Sequence, residues 1–254
     1  MVPPGFERLL LGHAVAVARS DVADGIRRSL VSADGSRSTL HEFAARQPGA
    51  RTLQGRGAAF AVALPQSGVR VVVRHNRRGG LLAPITGDRF LSPTRAPHEL
   101  EMSLALAKLG IPTPEMLAYV LYPPGGVLQR SDVCSREIAN SRDLAYILTH
   151  EHGAERAAAF VTTAALLAAL ARAGARHADL NAKNILLTYE TAYVLDVDRL
   201  SLDGDPSAVM NANLARLARS LRKWRDRFGA RISDKDIADL ERDARHALER
   251  APAH

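Results

Sequence analysis

The chain has 254 residues, 34 Lys and Arg against 27 Asp and Glu, and a net charge of +7 with a pI near 10.0. That length can bury a real core, as one large domain or as two lobes sharing a cleft, and the charge calls for an anionic partner such as nucleic acid, a membrane surface or a phosphorylated substrate. Only 5% of residues are aromatic and no basic run is interleaved with Tyr or Phe, which argues against a single-strand nucleic-acid platform, while a single cysteine, Cys134, excludes an internal disulfide and a cysteine-rich zinc site.

One cysteine makes a reducing, cytoplasmic setting the simplest expectation. Glu7 and Arg8 precede only a short apolar patch, without the charged start, long apolar core and small-residue cleavage site of an export signal, so none is expected. Residues 13–18 fit an edge strand, and Ser20 with Asp21 fits the opening of a short helix running to Leu30. Thr39-Leu40-His41-Glu42 is a capping-box pattern whose helix Pro48-Gly49 would stop. His13 and His41 lack partners at metal-ligand spacing and are expected to be packing or surface residues.

From Gln54 the pattern becomes Gln-Gly-Arg-Gly-Ala-Ala, an apolar run to Leu64, a turn at Gln66-Ser67-Gly68, and a second run ending at Arg74. This predicts a glycine-containing hairpin, with Gly55 and Gly57 letting backbone N–H groups approach nucleotide phosphates. Arg74 stands where protein kinases place the lysine that touches the phosphates, as a bidentate fork in place of a point charge. Glu99, in the predicted helix 97–109, would pair with it, and Glu101 is its rival.

A basic segment follows, Arg74-His75-Asn76-Arg77-Arg78-Gly79-Gly80 continuing to Asp88-Arg89, with four arginines in sixteen residues. Such a loop can be a solvated connection or a grip on phosphate and carboxylate groups. Strands are expected at 116–121 and 127–129 around a Pro-Pro-Gly-Gly turn, completing a small antiparallel sheet. Glu137-Ile138-Ala139-Asn140 would join an N-terminal lobe, 1–138, to a mainly helical C-terminal lobe, 139–254. In the latter, short and long helices at 143–148 and 155–173 are expected, the second ended by Gly174. The uncharged run 157–171 falls short of the roughly twenty apolar residues that span a bilayer, so a buried helix is expected. Amphipathic helices at 207–228 and 233–250 close the chain, their arginines expected to be solvated and Trp224 to be core.

The stretch 177–199, HADLNAKNILLTYETAYVLDVDR, organises the rest. Asp179 follows His177 by two positions and precedes Asn184 by five, the spacing of a kinase loop in which the Asp accepts a hydroxyl proton and the Asn binds magnesium. Residues 185–187 and 193–195 read as two short strands turned at Tyr189-Glu190-Thr191. That hairpin would return Asp196 beside Asn184, so that two oxygen ligands meet one hard cation. Asn181 departs from the lysine that many protein kinases carry two positions after the Asp; Lys183 either serves instead or is a solvated loop lysine.

With these residues assembled, residues 55–199 resemble the lipopolysaccharide kinase family and, within it, the 3-deoxy-D-manno-octulosonic acid (Kdo) kinases. The more specific portions are Arg-His-Asn-Arg-Arg-Gly-Gly at 74–80, Thr94-Arg95 leading to Glu99, His-Ala-Asp-Leu-Asn at 177–181 and Asp-Val-Asp-Arg at 196–199. The resemblance implies an α+β, protein-kinase-like bilobal fold, with a small antiparallel sheet and a helix in the N-lobe, peripheral at the cytoplasmic face of the inner membrane. It implies ATP-dependent phosphorylation of the Kdo 4-hydroxyl on a Kdo-lipid A type glycolipid. Carried over by position, Asp179 is the catalytic base, Asn184 and Asp196 the Mg2+ ligands, and Arg74 with Glu99 the phosphate-positioning pair. The open alternatives are a kinase for another core sugar such as heptose or for a protein, and a nucleotide-binding pseudokinase scaffold.

Overall fold

Short runs of Val and Ala alternating with other residues specify strands by their period of two, and in the computed structural model of the chain they pair into one antiparallel sheet of eight strands. The structure describes residues 2–12, 14–31, 37–53, 58–76, 90–91, 95–122 and 128–250. The chain forms two compact units, Met1–Glu101 with Glu115–Glu137, and Met102–Pro114 with Ile138–His254.

The first unit contains β1 (Phe6–Leu10), β2 (Val15–Arg19), α1 (Ala23–Ser29), α2 (Leu40–Arg46), β3 (Arg51–Leu53), β4 (Ala59–Ala63), β5 (Arg70–His75), β6 (Phe90–Leu91), the start of α3 (Ala96–Lys108), β7 (Met116–Tyr122) and β8 (Leu128–Arg136). The strand order is β1-β2-β7-β8-β5-β4-β3, with β6 on β8. Register decides which side chains are buried. Val73 lies opposite Cys134, and Cys134 opposite Ala118, so Val71, Val73, Cys134, Ala118 and Val120 share the face that packs against Ile26, Leu30, Leu40 and Ala44 of α1 and α2. Complete burial there pushes the Cys134 thiol up to about 12. Arg74, one position out of phase with Val73, emerges on the opposite face.

The segment expected as an edge strand at 13–18 is β2, an inner strand between β1 and β7. Residues 6–10, with their exposed Glu7 and Arg8, take the edge instead, where charge discourages further pairing. Helix α1 starts at Ala23 after a Val22 cap that has no side-chain hydrogen bond, not at Ser20. At α2 the capping box is formed: Glu42 N–H donates to Thr39 Oγ1 (3.1 Å) and Thr39 N–H to Glu42 Oε2 (3.0 Å). Strand β8 is longer than expected because Ser131 and Asp132 interrupt the apolar pattern although both are buried.

Asp132 is held by polar partners. Its carboxylate accepts from Tyr122 Oη (2.8 Å) and His41 N–H (2.9 Å) and lies 2.5 Å from His75 Nδ1. Tyr122 Oη in turn accepts from Leu40 N–H at 2.7 Å. Burial, then the Asp132 charge, raises the Tyr122 phenol well above its ordinary value, which keeps its proton for this bond. His41 packs, as expected, edge-on to Phe60 at 5.0 Å.

The second unit holds β9 (Arg142–Asp143), α4 (Leu144–His150), α5 (Gly153–Arg172), β10 (Arg176–His177), β11 (Ile185–Leu187), β12 (Ala192–Val194), β13 (Leu200–Ser201), α6 (Pro206–Phe228) and α7 (Asp234–Glu249). Asp143, Asp205 and Ser233 cap α4, α6 and α7 through their side chains. By length and composition α5 could cross a membrane; its Leu166, Leu167 and Leu170 are buried with Leu214, Leu217 and Leu221 of α6 and Ile237 and Leu240 of α7. It ends at Gly174, whose φ of +66° suits glycine and whose carbonyl accepts from Gly204 N–H at 3.1 Å. The arginines of α6 and α7 are mostly exposed, as expected, and several pair with carboxylates at the surface. Arg225 bonds Asp226 and Asp234, and Arg242 bonds Asp239 and Asp243.

Candidate active site

The loop 177–184 is fixed by one buried histidine. His177, with no exposed surface, accepts from the N–H of Asp179 at Nδ1 (3.1 Å) and donates from Nε2 to the Leu195 carbonyl (3.0 Å). A ring that accepts at one nitrogen and donates at the other is neutral. Burial lowers its pKa, opposed by the Leu195 bond and by the charges of Asp196, Asp179 and Asp198. One imidazole thus joins the residue of the proposed base to the residue before Asp196.

The carbonyl of Asp179 accepts from Asn181 Nδ2 (3.0 Å) and Asn184 Nδ2 (2.9 Å). Commitment of the Asn184 nitrogen leaves its Oδ1 as the atom that suits a hard cation. The predicted hairpin is present: Ile185 pairs with Val194 and Leu187 with Ala192. Leu195 N–H then donates to the Asn184 carbonyl at 2.9 Å, which brings Asp196 next to Asn184. Asp196 is exposed and left-handed, with φ 53° and ψ 48°, a conformation that costs about 1–3 kcal/mol in a residue other than glycine and is held where the surroundings over-determine it.

Helix α6 supplies what the sequence did not disclose. Asn213, fully buried, accepts from His177 N–H (3.0 Å) and donates to the Ala175 carbonyl (3.1 Å). Arg216 Nε donates to the Ala178 carbonyl (3.0 Å), and Ser220 Oγ accepts from Ala182 N–H (3.1 Å). The spacing 213, 216, 220 puts all three on one helix face, and that face holds the loop backbone on both sides of Asp179.

Lys183 is exposed and ion-paired. Its Nζ pairs with Asp143 Oδ2 at 3.0 Å and stands 5.3 Å from the Trp224 ring centroid, so it ties the loop to the start of α4. Trp224 packs partly buried against the core of the unit. Asp198 lies 3.8 Å from Arg199.

In the first unit Arg74 and Glu99 form an ion pair, the choice of Glu99 over Glu101 being settled because Glu101 is exposed. Arg74 Nη1 also donates to Asn76 Oδ1 at 2.8 Å. Glu137 is gripped by Arg70 (2.7 Å) and Arg51 (2.5 Å). Burial would raise its carboxyl, but the two arginines outweigh it and hold it below its ordinary value. Gly55, Gly57, His13, Arg77, Arg78, Gly79, Gly80, Asp88, Arg89 and the Pro-Pro-Gly-Gly turn lie outside the described residues. Among the described residues no three of His, Cys, Asp and Glu cluster as a metal site.

A tethered Asp, an Asn five positions on that hydrogen-bonds its carbonyl, and a second Asp returned by a hairpin form the loop arrangement of kinase-type phosphotransferases. The chain belongs to the lipopolysaccharide kinase (Kdo/WaaP) family, which it matches over residues 44–244. It is 36% identical over 193 residues to a 3-deoxy-D-manno-octulosonic acid kinase of Xanthomonas euvesicatoria pv. vesicatoria (strain 85-10), covering 74% of this chain and 75% of that protein. A relative of the same name from Vibrio vulnificus (strain YJ016) is 33% identical over 194 residues, covering 73% and 78%. Among solved structures, the chain superposes on WaaP in complex with acyl carrier protein, 18% identical with a TM-score of 0.49, covering 80% and 79%. It also superposes on a glucosamine kinase in complex with glucosamine, ADP and inorganic phosphate, 13% identical with a TM-score of 0.48, covering 96% and 81%. The mixed α+β architecture expected from the sequence, an antiparallel sheet early and helices late, is the one observed.

Proposed function

We propose that this chain transfers the γ-phosphoryl group of ATP to the Kdo residue, at its 4-hydroxyl, of a Kdo-lipid A precursor in lipopolysaccharide core biosynthesis. The observation that carries the reading is the hairpin that sets Asp196 beside Asn184 and Asp179, in a chain 36% identical to a Kdo kinase. Asp179 takes the proton of the acceptor hydroxyl as the new P–O bond forms. Its carbonyl is held by two amides and its N–H by His177, so the carboxylate is presented from a fixed backbone. Asn184 and Asp196 supply oxygens of the number and kind magnesium takes from protein when substrate phosphates complete its shell. Bound there, magnesium would offset the charge on the transferring group. Arg74, oriented by Glu99 and Asn76, meets nucleotide phosphates.

The acceptor carries carboxylate and phosphates in a membrane, and a chain of net charge +7 is attracted to an anionic lipid surface. Attachment is peripheral, at the cytoplasmic face of the inner membrane. The test is magnesium-dependent transfer from labelled ATP to a Kdo-bearing lipid A precursor. Transfer is expected from the wild type. Its absence with ATP binding intact would overturn the acceptor assignment and move the search to heptose-bearing acceptors.

A further inference from the structure

Four buried side-chain polar atoms among the described residues have no hydrogen-bond partner, and two of them are neighbours: Asn76 Nδ2 and Ser131 Oγ. Asn76 is 8% exposed and Ser131 is 0% exposed. Asn76 N–H donates to the Ser131 carbonyl at 2.9 Å, continuing the β5–β8 register in which His75 lies opposite Asp132. Residues directly opposite in an antiparallel pair project to the same face, so the orphaned amide and hydroxyl stand side by side. Arg74, two positions before Asn76, shares that face.

The Asn76 amide is not free to turn. Its Oδ1 accepts from Arg74 Nη1 at 2.8 Å, which fixes Nδ2 as a donor directed away from the guanidinium. Burying a donor and a hydroxyl without partners costs stability, and both stand beside a cation. The arrangement has what an anionic oxygen requires, namely donors preorganised in a dry site beside positive charge.

We propose that Asn76 Nδ2 and Ser131 Oγ form, beside Arg74, a donor pair for an anionic phosphoryl or carboxylate oxygen brought by one of the two substrates. This rests on the phosphotransferase reading and extends it to two residues outside the catalytic loop. The pair adds a directional contact that Arg74, committed to Glu99 and Asn76, does not supply by charge alone.

Two variants test it. Asn76→Asp keeps an acceptor for Arg74 but replaces the donor with a carboxylate, which repels an anion. Ser131→Ala removes only a hydroxyl that has no partner, so its melting temperature should equal or exceed that of the wild type while ligand binding weakens. Two arms identify the source of the oxygen: calorimetric binding of MgATP without acceptor, and KM for the Kdo-bearing precursor at saturating ATP. A loss of roughly tenfold or more for Asn76→Asp, with a smaller loss for Ser131→Ala, is expected in one arm. The first arm would assign a nucleotide oxygen and the second an acceptor oxygen. No change in either arm would overturn the proposal while leaving the enzymatic reading intact, as would a Ser131→Ala variant that melts lower and binds normally. A wild type that neither binds ATP nor transfers phosphate would overturn both. Should Asn76→Asp fail to fold, Ser131→Ala decides alone.

Discussion

Replacing His177 by leucine removes the imidazole that joins Asp179 to Leu195 while retaining an apolar side chain in a fully buried place. Two backbone groups lose partners, the Asp179 N–H and the Leu195 carbonyl. Each costs about 1–3 kcal/mol when left unsatisfied, and the added apolar contact offsets part of this, so His177→Leu should destabilise the unit by about 2–4 kcal/mol out of the ~5–15 kcal/mol usual for a folded domain. The assay is urea unfolding followed by fluorescence of Trp224, the only tryptophan in the chain, which lies in the same unit. With m near 1–3 kcal/mol/M, the midpoint should fall by roughly 1–2 M. Acid sharpens the test. Burial lowers the folded-state pKa of His177 below the unfolded value near 6.5. Between those values the unfolded chain binds the extra proton, so the His177 contribution is complete above pH ~6.5 and is lost as pH falls through the folded value. In His177→Leu that part of the acid dependence should vanish. A midpoint shift equivalent to less than about 1 kcal/mol, or an acid limb identical to the wild type, would refute the tethering role.

Asp179→Ala should abolish phosphate transfer while sparing nucleotide binding; loss of both would refute its role as base. Gly174→Ala should lower the melting temperature by the equivalent of about 1–3 kcal/mol, because φ there is +66° and the added Cβ would meet the Gly204 carbonyl oxygen at 2.7 Å; an unchanged melting curve would show that the Gly174–Gly204 contact yields freely. Cys134, buried with its thiol pushed up to about 12, should resist thiol reagents until the sheet opens, and rapid labelling at native circular dichroism would contradict this. Binding to acceptor-bearing vesicles should weaken as salt rises, and salt-insensitive binding would remove the electrostatic part of the membrane argument.

What could be read from the sequence was local. Thr39 and Glu42 stand three apart and form their capping box; the runs around Tyr189 and Glu190 form their hairpin because short apolar segments flanking a polar turn have few alternatives. The pairing of Arg74 with Glu99 was expected from chain order with Glu101 as its rival, and helix phase separates the two by about 200°. The missing parts are contacts between distant segments. Asn213, Arg216 and Ser220 look like ordinary polar positions on an amphipathic helix, and their spacing shows a shared face without showing that a much earlier loop covers it. Lys183 has no sequence neighbour to predict Asp143. Asp132 broke the apparent strand at 127–129 because a buried, fully bonded carboxylate and a surface one look alike in a pattern of hydropathy.

The three grips of α6 on the loop have a consequence for how the chain tolerates change in length. A helix turns about 100° for each residue, so inserting one residue between Asn213 and Ser220 would swing at least one grip off the loop, and a deletion would do the same in the other direction. Substitutions on the outer side, at exposed positions such as Ala215 and Arg219, leave that phase alone. Variation among working versions of this enzyme should therefore be free in composition along the outer side of α6 but rigid in residue count from 213 to 220, with additions and losses collecting beyond Gly229, where the helix has ended.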